Sequence, residues 1–253
     1  MARIRITRDG PVTTVTLTRP EKRNALDTQM LDALYEFCTT PPAPTERVVV
    51  IRAEGHVFCA GIDLAKRQRQ GSSGDDSPVV KVFHSIEAHP LPFVCVVQGA
   101  AIAGGCELAL HCDFVVASTR ARFGMSLAQI GLAPTWALAQ KLLEVAGPVM
   151  TREILLLGDP LPATKMAALG IVGRAVKPED LDEAANEVIA RLSENAPLSL
   201  QAIKALINRE MAFRDTIEHA GVDALVQAAR HSHDAKEGIA AKLEKRQPNF
   251  TGQ

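Results

Sequence analysis

The chain has 253 residues, 47% of them hydrophobic, and its 28 basic and 29 acidic residues give a formal net charge of -1. A chain of this length and apolar content can bury the core of one large domain. The balanced charge offers no basic surface for a nucleic acid or an anionic membrane, and we expect neither as a partner.

The five cysteines are scattered along the chain and show neither the close spacing of metal ligands nor the even number of a disulfide framework. They indicate reduced thiols and no metal site. The opening residues, MARIRITRDG, lack the apolar stretch of a signal peptide, and no later segment has the ~18 apolar residues of a membrane span. The sequence predicts a soluble, cytoplasmic protein.

Four short segments have the pattern of strands. TTVTLT (13–18) alternates with a period of two residues and is rich in β-branched side chains, which predicts a strand. Three continuous apolar runs predict buried strands: RVVVIRA (47–53), PFVCVVQ (92–98) and DFVVAST (113–119).

Helical patterns follow the first strand and dominate the end of the chain. ALDTQMLDALYEFC (25–38) carries an apolar stripe with helical spacing. From Leu181 to Arg246 the pattern is almost entirely helical, with one break near NAPLSL (195–200). We predict an α/β core, residues 1–192, followed by a helical region, residues 193–253.

Two segments run from a strand through small residues towards a helix: VVVIRAEGHVFCAGIDLAKR (48–67) and FVCVVQGAAIAGGCELAL (93–110). Alanine and glycine leave backbone N–H groups accessible where no helix yet uses them. If the strands are neighbours, the amides near Ala60 and Gly104 can converge on one oxygen and form an oxyanion hole. The residues alone leave a second reading open, in which the glycines only permit tight turns and close packing.

Five motifs together resemble the enoyl-CoA hydratase/isomerase, or crotonase, superfamily: RPEKRNALD (19–27), HVFCAGIDL (56–64), VQGAAIAGGCELALHCDFVVAS (97–118), ARFGMSLAQIGLAPTWA (121–137) and SHDAKEGIAAKLEKRQPNF (232–250). The resemblance implies a crotonase-like spiral of ββα turns with a C-terminal helical trimerisation region, assembled as homotrimers or dimers of trimers. It also implies an acyl-CoA thioester whose carbonyl oxygen is bound by the N–H groups of Ala60 and Gly104. Coenzyme A would be part of the substrate, and no cofactor is expected.

Glu107 lies three residues after Gly104, about one helical turn, which places its carboxylate near an oxygen held by that amide. The resemblance puts one of the two catalytic glutamates of the hydratases at this position. A carboxylate in the first turn of a helix can also serve only to stabilise the helix macrodipole.

The second hydratase glutamate is absent, because Leu127 occupies its position between RFG and IGLAP. Leucine cannot transfer a proton, so we favour one-base chemistry such as double-bond isomerisation over hydration. The alternatives are a hydratase with an atypical site, an acyl-CoA decarboxylase or thioesterase, and a non-catalytic acyl-CoA binder. A second polar group beside Glu107 would favour catalysis, and the candidates are Thr135, Ser126, Gln129 and His84. An entirely apolar pocket would favour binding or one-base isomerisation.

The resemblance also implies binding residues for the coenzyme. The segment KRNAL (22–26), with Arg23 and Ala25, would support the nucleotide, and Arg23 is the expected phosphate partner. Ile62 and Leu64 would line its path through backbone contacts, while Asp63 braces that loop. Lys245 would reach the phosphates from an adjacent subunit.

The acyl pocket would draw on Ala65, Leu127, Leu132 and Trp136, and the polar, glycine-rich segment 66–78 is expected to be a mobile loop that covers it. Cys59 and Cys106 flank the two proposed amides. We interpret them as small packing residues, since no histidine pattern accompanies either one.

Overall fold

The computed structural model describes residues 3–63, 77–212 and 216–252. Six strands form the larger of two sheets, in the order β1-β2-β3-β4-β6-β9. Strands β1 and β2 form an antiparallel hairpin, and every later neighbour pairs in parallel. The bounds are β1 (Ile4–Asp9), β2 (Val12–Leu17), β3 (Val48–Ala53), β4 (Phe93–Val97), β6 (Phe114–Ser118) and β9 (Arg174–Val176).

A second, three-stranded sheet stands next to it. It contains β5 (Ala101–Ile102), β7 (Arg122–Gly124) and β8 (Leu161–Pro162), with β5 parallel to β7 and β7 antiparallel to β8. The chain leaves the buried strand β4, turns at Gly99 and enters β5, and only Ala103 separates β5 from Gly104. The small sheet therefore fixes the position of the glycine pair at residues 104 and 105.

Among the described residues, five helices accompany the strands: α1 (Thr28–Thr39), α2 (Pro78–Ala88), α3 (Gly104–Leu110), α4 (Trp136–Arg152) and α5 (Ala163–Ala168). Helix α1 begins where the Asp27 side chain accepts the N–H of Met30. Helix α4 is kinked at Gly147, which has a φ of 66° and is followed by Pro148. After Arg152 the chain continues into a π-helical turn (Glu153–Leu157). Short 3-10 turns span Pro20–Lys22, Ala128–Ile130 and Pro178–Asp180.

The C-terminal part consists of α6 (Leu181–Glu194), α7 (Pro197–Met211), α8 (Ala220–His231) and α9 (His233–Glu244). Helix α6 packs Leu181, Ala185 and Ile189 against the apolar residues on one face of the large sheet. Helix α7 sends the buried Lys204 towards Asp113, with Nζ 2.7 Å from the carboxylate. Helix α9 packs against the Ala128–Ile130 turn.

The predicted α/β class and helical C-terminal region are confirmed, as are the four predicted strands and the helix near residues 25–38. The charged strand β1 was not predicted, because only Ile4 is buried in it. The C-terminal helices have more breaks than the one expected near residue 195, since the chain also turns between α7 and α8 and at Ser232. The division at residues 192 and 193 stays a prediction.

Within the described ranges, no helix is long and apolar enough to cross a membrane. The predicted loop at 66–78 lies almost entirely outside the described residues.

Candidate active site

Two chain segments, residues 59–62 and residues 101–105, lie side by side and are joined by a parallel bridge between Cys59 and Ala101. The N–H of Cys59 donates to Ala100 at 3.1 Å, and the Cys59 carbonyl oxygen accepts the N–H of Ile102 at 2.9 Å. Only glycine permits this approach. A Cβ on Gly61 would lie 2.8 Å from the Ile102 carbonyl oxygen, and one on Gly105 would collide with the carbonyl oxygen of Cys59.

The prediction that Ala60 supplies one oxyanion donor is wrong, because the N–H of Ala60 already donates to the carbonyl oxygen of Arg23 at 3.0 Å. The next candidate along the chain is Ile62. Ile62 forms a parallel β-bridge with Leu26. In this bridge the N–H of Leu26 donates to the carbonyl oxygen of Gly61 at 2.8 Å, and the N–H of Asp63 donates to the carbonyl oxygen of Leu26 at 2.9 Å. This pattern uses both backbone groups of Leu26 and directs the N–H of Ile62 away from it.

The Ile62 amide lies beside Gly104. A Cβ built on Gly104 would be 3.5 Å from the Ile62 nitrogen, so the two segments bring these amides to one place. Gly104 is the first residue of α3, and the first hydrogen bond inside that helix runs from the N–H of Glu107 to the carbonyl of Ala103. The N–H of Gly104 therefore has no acceptor within its own helix.

The residue before Gly104 has an unusual backbone. Ala103 has φ 48° and ψ -119°, a left-handed conformation that residues with a Cβ rarely adopt. Such a conformation costs on the order of 1–3 kcal/mol and persists where the surrounding structure enforces it, often at functional sites. Here the N–H of Ala103 donates to Gly124 of strand β7 at 2.8 Å, which ties the turn to the small sheet.

Glu107 follows one turn later and is almost completely buried, with 7% of its surface exposed. Burial raises the pKa of its carboxyl from 4.5 to about 8, and the guanidinium of Arg230 lowers it by a smaller amount. A carboxyl with this pKa is ready both to release and to accept a proton near neutral pH, as general acid–base catalysis requires.

Glu107, Ile62 and Gly104 line one cavity of about 210 Å³. Its described walls are mostly apolar and include the predicted acyl-pocket residues Leu127 and Leu132, together with Ala60 and Asp63. Two of the polar side chains proposed as discriminators, Ser126 and Thr135, also line it. The Thr135 hydroxyl accepts the N–H of Leu138 at 3.1 Å and so caps helix α4.

Two cations on this cavity were missed by the sequence reasoning. Arg230, from α8, donates through Nε to the carbonyl oxygen of Ala133 at 3.0 Å, and Lys242, from α9, lines the same cavity with an exposed side chain. Basic residues in the last turns of amphipathic helices are common, so neither position carried a distinguishing signal. The C-terminal helices therefore contribute to the site of their own chain.

Comparison with known proteins decides the family. The sequence profile described as enoyl-CoA hydratase/isomerase matches residues 7–253. The chain belongs to the enoyl-CoA hydratase/isomerase family. The chain is an enzyme of that family, and the resemblance inferred from its motifs is confirmed.

Relatives in this family carry out several reactions. The chain is 31% identical to the 2,3-dehydroadipyl-CoA hydratase of Escherichia coli strain K12, with 100% of each chain covered. It is 29% identical to the trans-2-decenoyl-[acyl-carrier-protein] isomerase of Streptococcus mutans serotype c, with 96% of each chain covered. A solved structure of methylmalonyl-CoA decarboxylase in complex with 2-nitronate-propionyl-CoA superimposes with a TM-score of 0.92 at 25% identity, covering 99% of each chain. These similarities confirm the crotonase-like fold.

In this member of the enoyl-CoA hydratase/isomerase family, Asp63 holds a loop in place. Its carboxylate accepts from Arg19 Nη1 at 2.9 Å, and the same Arg19 atom donates to the Ala25 carbonyl at 2.9 Å and lies 3.5 Å from Asp27. Ala25 thus contributes through its backbone, and it does not line the cavity. The exposed Arg23 likewise lies outside the cavity wall and contributes its carbonyl to Ala60.

The remaining predicted binding residues lie elsewhere. Trp136 faces a second cavity and stacks on His219 at 4.2 Å between ring centroids, because it follows the helix cap at Thr135 and points to the other side of α4. His84 also lines that second cavity, and Gln129 hydrogen-bonds to Leu157. Lys245 is exposed at the end of α9, and Leu64 and Ala65 lie outside the described residues.

The thiols of the two cysteines near the site are unreactive. Cys59 and Cys106 are buried, and burial raises the pKa of each thiol to about 12, which keeps both protonated. This agrees with their interpretation as packing residues. In the described part of the chain, no group of three or more histidine, cysteine, aspartate or glutamate side chains is arranged to hold a metal ion.

Proposed function

We propose that this enzyme moves a proton between carbon atoms of an acyl-CoA thioester and so shifts a double bond, with Glu107 as its only acid and base. The observation that carries the proposal is the difference in ion pairing and pKa among the carboxyls that line the cavity. Of the three on the described wall, Asp27 and Asp63 form ion pairs with Arg19, whereas burial raises the pKa of Glu107 to about 8. Glu107 is therefore the group suited to proton transfer.

The reaction begins with the thioester oxygen between the N–H groups of Ile62 and Gly104. The ionised Glu107 takes a proton from the α carbon, and the electrons of that C–H bond move onto the carbonyl oxygen to give a dienolate. The two amides stabilise the new negative charge. The protonated Glu107 then returns the proton to the γ carbon, the carbonyl re-forms, and the double bond lies next to it.

Leu127 supports isomerisation over hydration. It lines the cavity where a hydratase would carry its second glutamate, and it packs against both the main core and the Ile130, Leu132 and Ile239 cluster. An apolar wall there cannot hold or activate a water molecule for addition. Ser126 and Thr135 supply the polar groups that favour catalysis over simple binding of an acyl-CoA.

We also propose self-association, as the family resemblance implies, in trimers or dimers of trimers. Helices α7 and α8 expose large apolar side chains, among them Leu198 at 77%, Leu206 at 61% and Leu225 at 71%. Apolar surface of this extent on two successive helices is typical of a protein interface. In such an assembly the exposed Arg23 and Lys245 remain candidates for the coenzyme phosphates, with Lys242 added. The five buried free cysteines fit a cytoplasmic location.

The test is to incubate the enzyme with a panel of enoyl-CoA thioesters in deuterated water and to analyse the products by mass spectrometry. Deuterium at the α or γ carbon, with a shifted double bond and no added water, is the expected result. Glu107→Gln should abolish exchange and leave binding of the thioester largely intact. A hydrated product, or full turnover by the Gln variant, would contradict the assignment.

A further inference from the structure

One buried side chain, that of Asn24, joins the turn after strand β2 to the loop after strand β3. Asn24 is fully buried, and its Oδ1 accepts the N–H of Arg19 at 2.9 Å. Its Nδ2 donates to the carbonyl oxygen of Glu54 at 2.8 Å and to that of Val57 at 2.9 Å. The acceptor and both donors of this amide are therefore used to hold two backbone segments together.

The backbone at Asn24 is bonded to the segment that carries Ile62. Arg23 and Asn24 both have a φ of 53°, in the left-handed region that asparagine adopts more readily than most residues with a Cβ. At this turn, the carbonyl oxygen of Arg23 accepts the N–H of Ala60 at 3.0 Å. The next carbonyl oxygen, that of Asn24, accepts the thiol of Cys59 at 3.1 Å. The position of residues 59–62 therefore depends on the conformation of this turn.

The loop between strand β3 and Cys59 is held at both ends by side-chain amides. Gln98, directly after strand β4, donates through Nε2 to the carbonyl oxygen of Gly55 at 3.0 Å. Asn24 holds the other end through Val57, two residues before Cys59. Loss of the Asn24 donors would free the end of the loop that leads into the Ile62 segment.

We propose that Asn24 is the positioning residue of the oxyanion donor, and that it fixes the place of the Ile62 N–H through this loop and through the bonds to residues 59 and 60. This rests on the proposed function, in which the thioester oxygen lies between the amides of Ile62 and Gly104. Asn24 is not part of the described cavity wall, so it acts through Ile62 and not on the acyl group. Misplacement of a group by about 1 Å can lower a rate by about 10²-fold, so hydrogen bonds outside the cavity are enough to control the reaction.

The experiment compares the full-length Asn24→Asp variant with the wild type. Aspartate keeps the shape, the acceptor for Arg19 and the tolerance of a left-handed backbone, but it loses both donors. We expect kcat for isomerisation to fall roughly ten- to a hundred-fold, while KM and the affinity for free coenzyme A change by less than about threefold. The carbonyl stretch of bound hexanoyl-CoA, a saturated thioester that cannot isomerise, should move towards its value in water in infrared difference spectra.

Asn208→Asp is the matched control for a loss of stability. Asn208 donates through Nδ2 to the carbonyl oxygen of Glu87 at 2.7 Å, which joins α7 to α2 beside the second cavity. The same substitution there removes a bond of the same kind, so it should lower the melting temperature and leave kcat and the carbonyl stretch unchanged. If Asn24→Asp does not fold, Asn24→Gly is the test, because glycine adopts a φ of 53° without strain and also lacks both donors.

An unchanged carbonyl stretch in the Asn24 variants, or a raised KM with normal kcat, would overturn the inference, because Asn24 would then support only the fold or the coenzyme site. A wild-type stretch equal to that in water would refute the oxyanion site and the inference with it. A wild type that lowers the stretch but hydrates its substrate would refute the isomerase proposal alone, and the same effect of Asn24→Asp on the stretch would still support the inference.

Discussion

Ala60 donates its backbone N–H to the carbonyl oxygen of Arg23 at 3.0 Å, and we therefore propose the N–H of Ile62 as the oxyanion donor of this segment. A methyl group on Gly104 would lie 3.5 Å from the Ile62 nitrogen and 3.0 Å from Ile62 Cδ1, in the space that a shared oxygen must enter. Alanine keeps the N–H, but its methyl group would keep the oxygen away from that N–H. We therefore expect Gly104→Ala to lower kcat by roughly 10²–10³, the usual effect of losing one donor. The carbonyl stretch of a bound acyl-CoA, measured by infrared difference spectroscopy, should shift back towards its value in water.

The double variant Gly104→Ala with Ile62→Val is the matched control for crowding. Valine removes Ile62 Cδ1 and keeps the N–H, so this protein should recover thermal stability without recovering activity. Recovery of full activity would show that the methyl group lowers activity only by displacing Ile62, and that it leaves the space for the oxygen open.

The ionisation of Glu107 predicts how activity depends on pH. Proton abstraction needs the carboxylate, and burial raises the pKa of that carboxyl to about 8. The value of kcat/KM should therefore fall as pH decreases through about 8 and reach a plateau above it. Stopped assays from about pH 6 to about pH 10, within the range where circular dichroism shows the fold intact, check this. A profile that is flat across pH 8, or that rises towards acid, would remove Glu107 as the base.

The burial of the Glu107 carboxyl also predicts that replacing it with glutamine stabilises the folded protein at high pH. Because the folded-state pKa of Glu107, about 8, lies above its ordinary value of 4.5, the protonated form favours folding, and this stability is lost as pH rises from 4.5 through 8. Glu107→Gln does not titrate. Its free energy of unfolding should match that of the wild type at about pH 5 and exceed it by roughly 2–4 kcal/mol at about pH 8, at about 1.4 kcal/mol per pH unit.

Urea denaturation at the two pH values measures that difference. Glu87→Gln is a suitable control, because Glu87 lines the second cavity and forms an ion pair with Lys141 at 2.5 Å. It should not show the same gain at high pH. A Glu107→Gln protein that is less stable than the wild type at about pH 8 would mean that the carboxylate is well solvated or paired in the folded state.

Replacing Leu127 with glutamate is expected to give the enzyme hydratase activity. Leu127→Glu places a carboxyl at the position expected for the second hydratase glutamate, and hydration of an enoyl-CoA should rise by roughly 10²-fold or more, the lower end of the contribution of a general acid or base. Leu127→Gln is isosteric but cannot transfer a proton, and it should remain without hydratase activity. Spectrophotometric loss of the conjugated thioester reports the reaction. Equal rates in the Glu and Gln variants would show that this position does not control water addition.

The motifs of the sequence predicted the family, which is confirmed, because they depend on local spacing along one segment. The roles assigned to Glu107 and Leu127 depend on the same local spacing and stay predictions. Residue 107 follows residue 104 by one helical turn in any context where that helix forms. The C-terminal helices were recognised by the same local periodicity. Their breaks were not, since a turn such as Ser232 depends on how α8 and α9 pack against the rest of the chain.

The tertiary structure alone decided which backbone amide is accessible and which distant cations reach the cavity. The choice between Ala60 and Ile62 depends on a hydrogen bond to Arg23, a residue far away in the sequence, and no property of the segment HVFCAGIDL reveals it. Arg230 and Lys242 look like ordinary helix-end basic residues until α8 and α9 fold over the Ala128–Ile130 turn. Local pattern determines which elements form, whereas long-range packing determines which of their groups face one another.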